Sequence, residues 1–159
     1  MSDDLSHVDG DGRARMVDVS RKAETPRMAR AEARVVFSQG VRARVLSGDL
    51  PKGAVLETAR LAGVTGAKRT SDLIPMCHPL RISEVKIDFA PEGDEVLLVT
   101  GEVRAVDRTG VEMEALTAVS VAALTVYDMV KAVDRGMEVT GVRLTHKEGG
   151  KSGTWRRDG

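Results

Sequence analysis

Along Met28–Phe37, Ala29, Ala31, Ala33, Val35 and Phe37 alternate with Arg30, Glu32 and Arg34. A period of two lays one face on a core and predicts a strand, although the alanines also allow helix. Val41–Leu46 and Val55–Val64 read as short helices, separated by a turn at 47–53 that holds Gly48, Pro51 and Gly53. Val85, Ile87 and Phe89 alternate with Glu84, Lys86 and Asp88, a half-buried strand. The turn PEGD (91–94) and a second strand over Glu95–Val106 complete a hairpin. Val111–Val133 contains neither Gly nor Pro and is rich in Ala, Leu, Val and Met, so a long helix is expected, stopped near Gly136. Met137–Leu144 returns as a strand. Strand, helices, strand, strand, helix, strand is the order of a split βαβ sandwich. The expected fold is α+β and ferredoxin-like, an antiparallel sheet with helices on one face. The outward strand faces are not uniformly polar, so burial of the open face against another subunit is expected.

Residues 1–15 lack apolar periodicity and read as a flexible N-terminal tail, leaving 16–159 as a single domain. No apolar run approaches the length of a membrane span, and the acidic start MSDDLSHVDGDG is unlike a secretory signal. The lone Cys77 excludes an intrachain disulfide. Together these features suggest a cytoplasmic protein without a membrane partner. Net charge is zero but uneven. Residues 13–44 carry nine Lys or Arg against three acids, 84–114 nine acids against three bases, and 143–157 turn basic again. Two basic ends can converge on an anion or merely be solvated faces.

Four stretches could carry chemistry. On the long helix, Glu114, Thr117, Ser120, Thr125, Asp128 and Lys131 share one arc, interrupted by Val121 and Leu124. Small hydroxyls with few charges suggest a lined cleft, while an ordinary wet face stays open. Asp128 and Lys131, three apart, can meet as a catalytic or a structural pair. In LIPMCHPL (73–80), Pro75 and Pro79 hold Met76, Cys77 and His78 in a rigid turn. His7 and His146 complete no zinc spacing, so His78 is better read as a hydrogen-bond donor or proton carrier, and Cys77 as packed. KEGGKSG (147–153) is not a phosphate-binding P-loop, because Thr145 stands where the first Gly belongs. Lys147, Lys151 and the amides of Gly149 and Gly150 nevertheless suit an anion. Lys22, Arg27, Lys52 and Lys68 add cations in turn-like contexts, and several Lys and Arg donors together suit a phosphate.

The stretches MVDVSRKAET (16–25), AKRTSDLIPMCHPL (67–80), TGVEMEALTAVSVAALTVYDMVKAV (109–133) and KEGGKSG resemble the family of cyclic pyranopterin monophosphate synthase, the molybdenum cofactor biosynthesis protein C. The resemblance implies a ferredoxin-like subunit in a homohexamer, a trimer of dimers with sites at subunit interfaces. It implies conversion of 3′,8-cyclo-7,8-dihydro-GTP to cyclic pyranopterin monophosphate with release of pyrophosphate. Asp128, Lys131 and Lys52 would then be catalytic. Met76, Cys77, His78, Glu112, Met113 and Glu114 would contact substrate, and Lys22, Arg27, Lys68, Lys147 and Lys151 would hold its base and triphosphate ends. A carboxylate beside a lysine can give and take protons if burial moves both toward neutrality. No cofactor or dedicated metal site is expected, and Mg²⁺ could accompany the triphosphate. A sensor domain without turnover would explain the cations but not Asp128 beside Lys131. A nucleic-acid partner is not expected, since Phe37, Phe89, Tyr127 and Trp155 are the only aromatics available to stack bases.

Overall fold

The computed structural model describes residues 7–159. Its elements run β1 (Thr25–Val36), α1 (Val41–Ser47), α2 (Val55–Lys68), α3 (Thr70–Leu73), β2 (Ile82–Glu92), β3 (Val96–Asp107), α4 (Glu112–Val130), β4 (Glu138–Glu148) and β5 (Trp155–Arg156). The described strands form one sheet in the order β2-β3-β1-β4-β5, antiparallel throughout. This is the expected α+β, ferredoxin-like arrangement, with β5 added at one edge.

One sheet face is built from Ala29, Ala31, Ala33 and Val35 on β1 and Leu97, Val99, Gly101 and Val103 on β3, all buried. It meets Ala115, Ala118, Val119, Ala122 and Val126 of α4. With few aromatics available, the core closes by bringing small residues together rather than by filling space with rings. A Cβ on Gly101 would lie 2.8 Å from Val119 Cγ1, so the strand needs glycine where the helix crosses it. By length and composition α4 could also cross a membrane, which the run-length criterion did not register. In the fold it is the central core helix, packed on β1, β3, β4 and α2.

Several boundaries differ from the sequence expectation, each for a local reason. Helix α2 continues past Val64 to Lys68 because Gly63 and Gly66 are contact points for α4, not stops. A Cβ on Gly63 would meet Ala118 O at 3.0 Å, and one on Gly66 would meet Val121 Cγ2 at 2.9 Å. The turn α3 follows, with Thr70 Oγ1 donating to Gly66 O and Ala67 O. β2 runs on through Pro91 to Glu92 and narrows the expected turn; as an edge strand it tolerates proline's missing N–H. β4 extends to Glu148, so His146 and Lys147 belong to the sheet. Buried Asp134 accepts hydrogen bonds from Ser38 N (2.7 Å), Ser38 Oγ (2.8 Å) and Gly136 N (3.0 Å), tying the loop after β1 to the loop after α4.

The open sheet face carries a lattice of ion pairs. Arg34 bridges Glu32 and Glu92 at 2.9 and 2.6 Å, Arg143 reaches Glu32 at 2.6 Å, and Arg104 reaches Glu102 at 2.7 Å. Exposed large apolar side chains occur both on the strands, as at Val106 (51%), and on the helices, where Leu61 of α2 is 70% and Leu124 of α4 is 59% exposed.

Candidate active site

Two adjoining cavities share Lys22, Thr109 and Gly110, and the first turn of α4 lines the smaller of them. The smaller, about 300 Å³, is lined by Met76, Cys77, His78, Glu112, Met113 and Glu114, with Thr109 and Gly110. The proline-bracketed turn brings Met76–His78 there, as expected, and Val17, Val19, Lys22 and His7 cover it from the N-terminal side. Within the expected tail, Val8 bridges Ala14 and Arg15 N bonds His7 O; residues 1–6 lie outside the described residues. His78 Nε2 lies 2.7 Å from Val17 O. A carbonyl can only accept, so Nε2 carries the proton and Nδ1 is the ring's free position.

Glu114 is only 4% exposed. Burial, reinforced by Glu112 and Asp107 nearby, pushes its carboxyl up to about 7, partly opposed by a bond from its own backbone amide. Burial and the Glu114 charge also push the Cys77 thiol up, which keeps it protonated and a poor nucleophile. Glu114 can therefore both hold and release a proton near neutral pH.

The larger cavity, about 690 Å³, shares Lys22, Thr109 and Gly110 with the first. Its lining adds Arg21, Arg27, Arg108, Lys147 and Lys151, together with Thr25, Gly150 and Ser152, and among the described residues includes no carboxylate. Lys147 reaches it because β4 presents that residue on the helix side, opposite Ala29, where Nζ meets Glu112 Oε1 at 2.9 Å. Arg27 donates from Nε to Asp107 O (3.3 Å) and from Nη2 to Arg108 O (3.1 Å). Gly149 (φ 100°) and Gly150 (φ 74°) let the loop wrap that guanidinium, and a Cβ on either would run into Pro26 or Arg27. The glycine pair thus shapes a cationic wall rather than a P-loop. Arg21, Arg108, Thr25 and Ser152 escaped the sequence reading; the excess of bases over 13–44 was the only hint for Arg21.

The remaining candidates lie elsewhere. At the far end of α4, Lys131 Nζ meets Asp128 Oδ1 at 2.8 Å. Lys52 Nζ reaches Asp128 O at 3.2 Å and its Oδ2 at 3.9 Å. All three side chains are exposed, Lys52 at 45%, Lys131 at 54% and Asp128 at 62%. Lys131, bonding and facing the carboxylate, holds Asp128 below the usual range, and Asp128 in turn raises Lys131. The expected drift of this pair toward neutrality is absent within one chain, because neither member is buried. At about 1.5 Å per residue, Asp128 lies roughly 21 Å along the axis from Glu114. Lys68, exposed at the end of α2, lines neither cavity. The polar arc between the two ends lines neither cavity beyond Glu114. Ser120 Oγ and Thr125 Oγ1 donate to Leu116 O and Val121 O one turn back, so their hydroxyls are spent on the helix itself. Among the described residues no three His, Cys, Asp or Glu side chains gather to hold a metal ion.

The MoaC family profile matches residues 16–150 of this chain. The chain is 58% identical over 155 residues to the cyclic pyranopterin monophosphate synthase of Streptomyces coelicolor, covering 98% of this chain and 91% of the relative. It is 53% identical over 157 residues to the enzyme of that name from Chloroflexus aggregans, with 98% and 95% covered. The Methylobacterium protein of that name is 56% identical over 155 residues, with 97% of both chains covered.

Proposed function

Since the chain belongs to the MoaC family, we propose that it converts 3′,8-cyclo-7,8-dihydro-GTP to cyclic pyranopterin monophosphate and pyrophosphate, a step of molybdenum cofactor biosynthesis. One observation carries the reading from the structure. A cavity with a titratable acid adjoins, through Lys22, Thr109 and Gly110, a cavity walled by six cations.

The purine-derived end of the substrate occupies the smaller cavity. Rebuilding that ring moves protons at several atoms, and Glu114, poised near neutrality, can donate one and take one back. His78 contributes its free ring position, with Nε2–H held by Val17 O. The triphosphate extends into the larger cavity, where cations stabilise the charge that develops as pyrophosphate leaves. No resident cofactor enters this scheme; Mg²⁺ accompanies the triphosphate, carried by the phosphates rather than by a protein cage.

Asp128, Lys131 and Lys52 act on the same substrate from a second subunit. About 21 Å of helix separates them from Glu114 within a chain, too far for shared contact with one reacting centre. Two antiparallel copies of α4 related by a twofold axis near Val121 bring Asp128 of one copy level with Glu114 of the other. Leu124, three residues along α4 and 59% exposed, supplies apolar surface for the contact. A homohexamer built as three such dimers, working in the cytoplasm, completes the proposal. Co-assembling Asp128→Asn subunits with Glu114→Gln subunits tests it. Each variant alone is expected to be inactive, and the mixed oligomer to recover coupled release of pterin and pyrophosphate. No recovery, from subunits shown to exchange, would reject the shared site.

A further inference from the structure

The larger cavity is more than a place for the leaving group to rest. We infer that it is a pyrophosphate-retaining site, with Arg108 and Thr25 among its direct contacts, so that pyrophosphate departs after the pterin product and competes with fresh substrate. The inference rests on the proposed reaction for the identity of its ligand.

Three observations support it. At about 690 Å³ the cavity exceeds the one assigned to the heterocycle. Its cations are not neutralised from within. Lys147 answers Glu112, but Arg21, Lys22, Arg108 and Lys151 make no ion pair among the described residues. Thr25 Oγ1 and Arg108 Nε are buried and have no hydrogen-bond partner among the described residues, although both residues line this cavity. Those two atoms are closed off in the free protein, and it is as cavity-lining residues that Arg108 brings a guanidinium and Thr25 a hydroxyl, donor types that suit phosphate oxygens.

The chemistry decides the order of release. A substrate hydroxyl oxygen bonds to the α-phosphorus and gives its proton to a base. The bond from that phosphorus to the α,β-bridging oxygen breaks, and the oxygen keeps the electron pair as pyrophosphate. The α-phosphorus sits where the cavities join, beside Lys22, Thr109 and Gly110. The pterin product therefore keeps one phosphodiester charge at the rim, while pyrophosphate holds several charges facing the unpaired cations. The less strongly held product leaves first.

The test uses the full-length oligomer and inorganic pyrophosphate, with tripolyphosphate and orthophosphate alongside. Calorimetry on the free enzyme is expected to show pyrophosphate binding, with orthophosphate at least tenfold weaker. In turnover, pyrophosphate is expected to inhibit competitively against substrate. Arg108→Met and the isosteric Thr25→Val are each expected to weaken pyrophosphate binding by roughly tenfold or more. Thr25→Val changes little volume and so keeps the test valid should Arg108→Met fold poorly. Absence of pyrophosphate binding by an enzyme that turns over would overturn the inference alone. Binding at full strength by both variants would overturn the assignment of the two contacts. Pyrophosphate binding that depends on Arg108 and Thr25, without turnover, would sustain the site and reject the proposed reaction instead.

Discussion

Replacing Glu114 with Gln removes a buried carboxyl pushed up to about 7, and the consequence for stability is set by linkage. The unfolded chain releases this proton near 4.5, and the folded chain holds it until about 7. Below 4.5 both states are protonated and the wild type has its full stability. As pH rises from 4.5 to 7 the unfolded state ionises first and gains on the folded state; above 7 the deficit is constant. At about 1.4 kcal/mol per tenfold, the loss reaches at most about 3 kcal/mol. The amide cannot ionise, so the stability of Glu114→Gln minus that of wild type is expected to rise by up to about 3 kcal/mol between pH 4.5 and pH 8. Urea denaturation at a series of pH values and one fixed protein concentration measures it, the fixed concentration keeping subunit association constant. Parallel pH curves for the two proteins would refute the reasoning, because they would mean that Glu114 titrates alike folded and unfolded.

Other expectations follow from contacts already described. Asp128→Asn is expected to abolish turnover while leaving the melting temperature nearly unchanged, since water screens an exposed pair such as Asp128–Lys131; a large fall in the melting temperature would make the pair structural. Gly66→Ala forces a Cβ within 2.9 Å of Val121 and is expected to cost about 1–3 kcal/mol in thermal or chemical denaturation, whereas an unchanged midpoint would show that α2 and α4 have slack. Asp134→Ala leaves Ser38 and Gly136 without their acceptor and is expected to cost about 2 kcal/mol or more by the same assay. Burial raises the Asp134 carboxyl, but bonds from Ser38 and Gly136 outweigh it and hold the group below 3.8, so its contribution is present above that pH and is lost on further acidification.

Elements with one dominant period were legible before any coordinates. The alternation of Ala29–Val35 and the unbroken apolar helix each have a single low-energy solution once a core exists, and both appear as expected. The proline-bracketed turn holding Met76–His78 was legible for a related reason, since two fixed backbone angles leave the chain little choice. Helix α2 runs four residues beyond the expected Val64, and only the position of α4 reveals why Gly63 and Gly66 lack a side chain.

The candidate residues separated along the same line. Their identities could be read, but their grouping could not, because α4 spreads one arc over its whole length. Glu114 sat on the polar arc by periodicity, yet the strand ends and the His78 turn cover that end of the helix and bury it. Asp128 sat on the same arc and remains exposed, so its acidity moves in the opposite direction. Arg108 and Thr25 carry no local pattern at all; only the sheet register places Thr25 beside Asp107 and thereby next to Arg108.

The measurement that tests the central claim most directly is anaerobic incubation of the purified protein with 3′,8-cyclo-7,8-dihydro-GTP, following pyrophosphate and pterin together. Appearance of cyclic pyranopterin monophosphate and pyrophosphate in equal amounts, lost in Asp128→Asn and in Glu114→Gln, is the predicted result. Intact substrate after incubation with a properly folded oligomer would contradict the account.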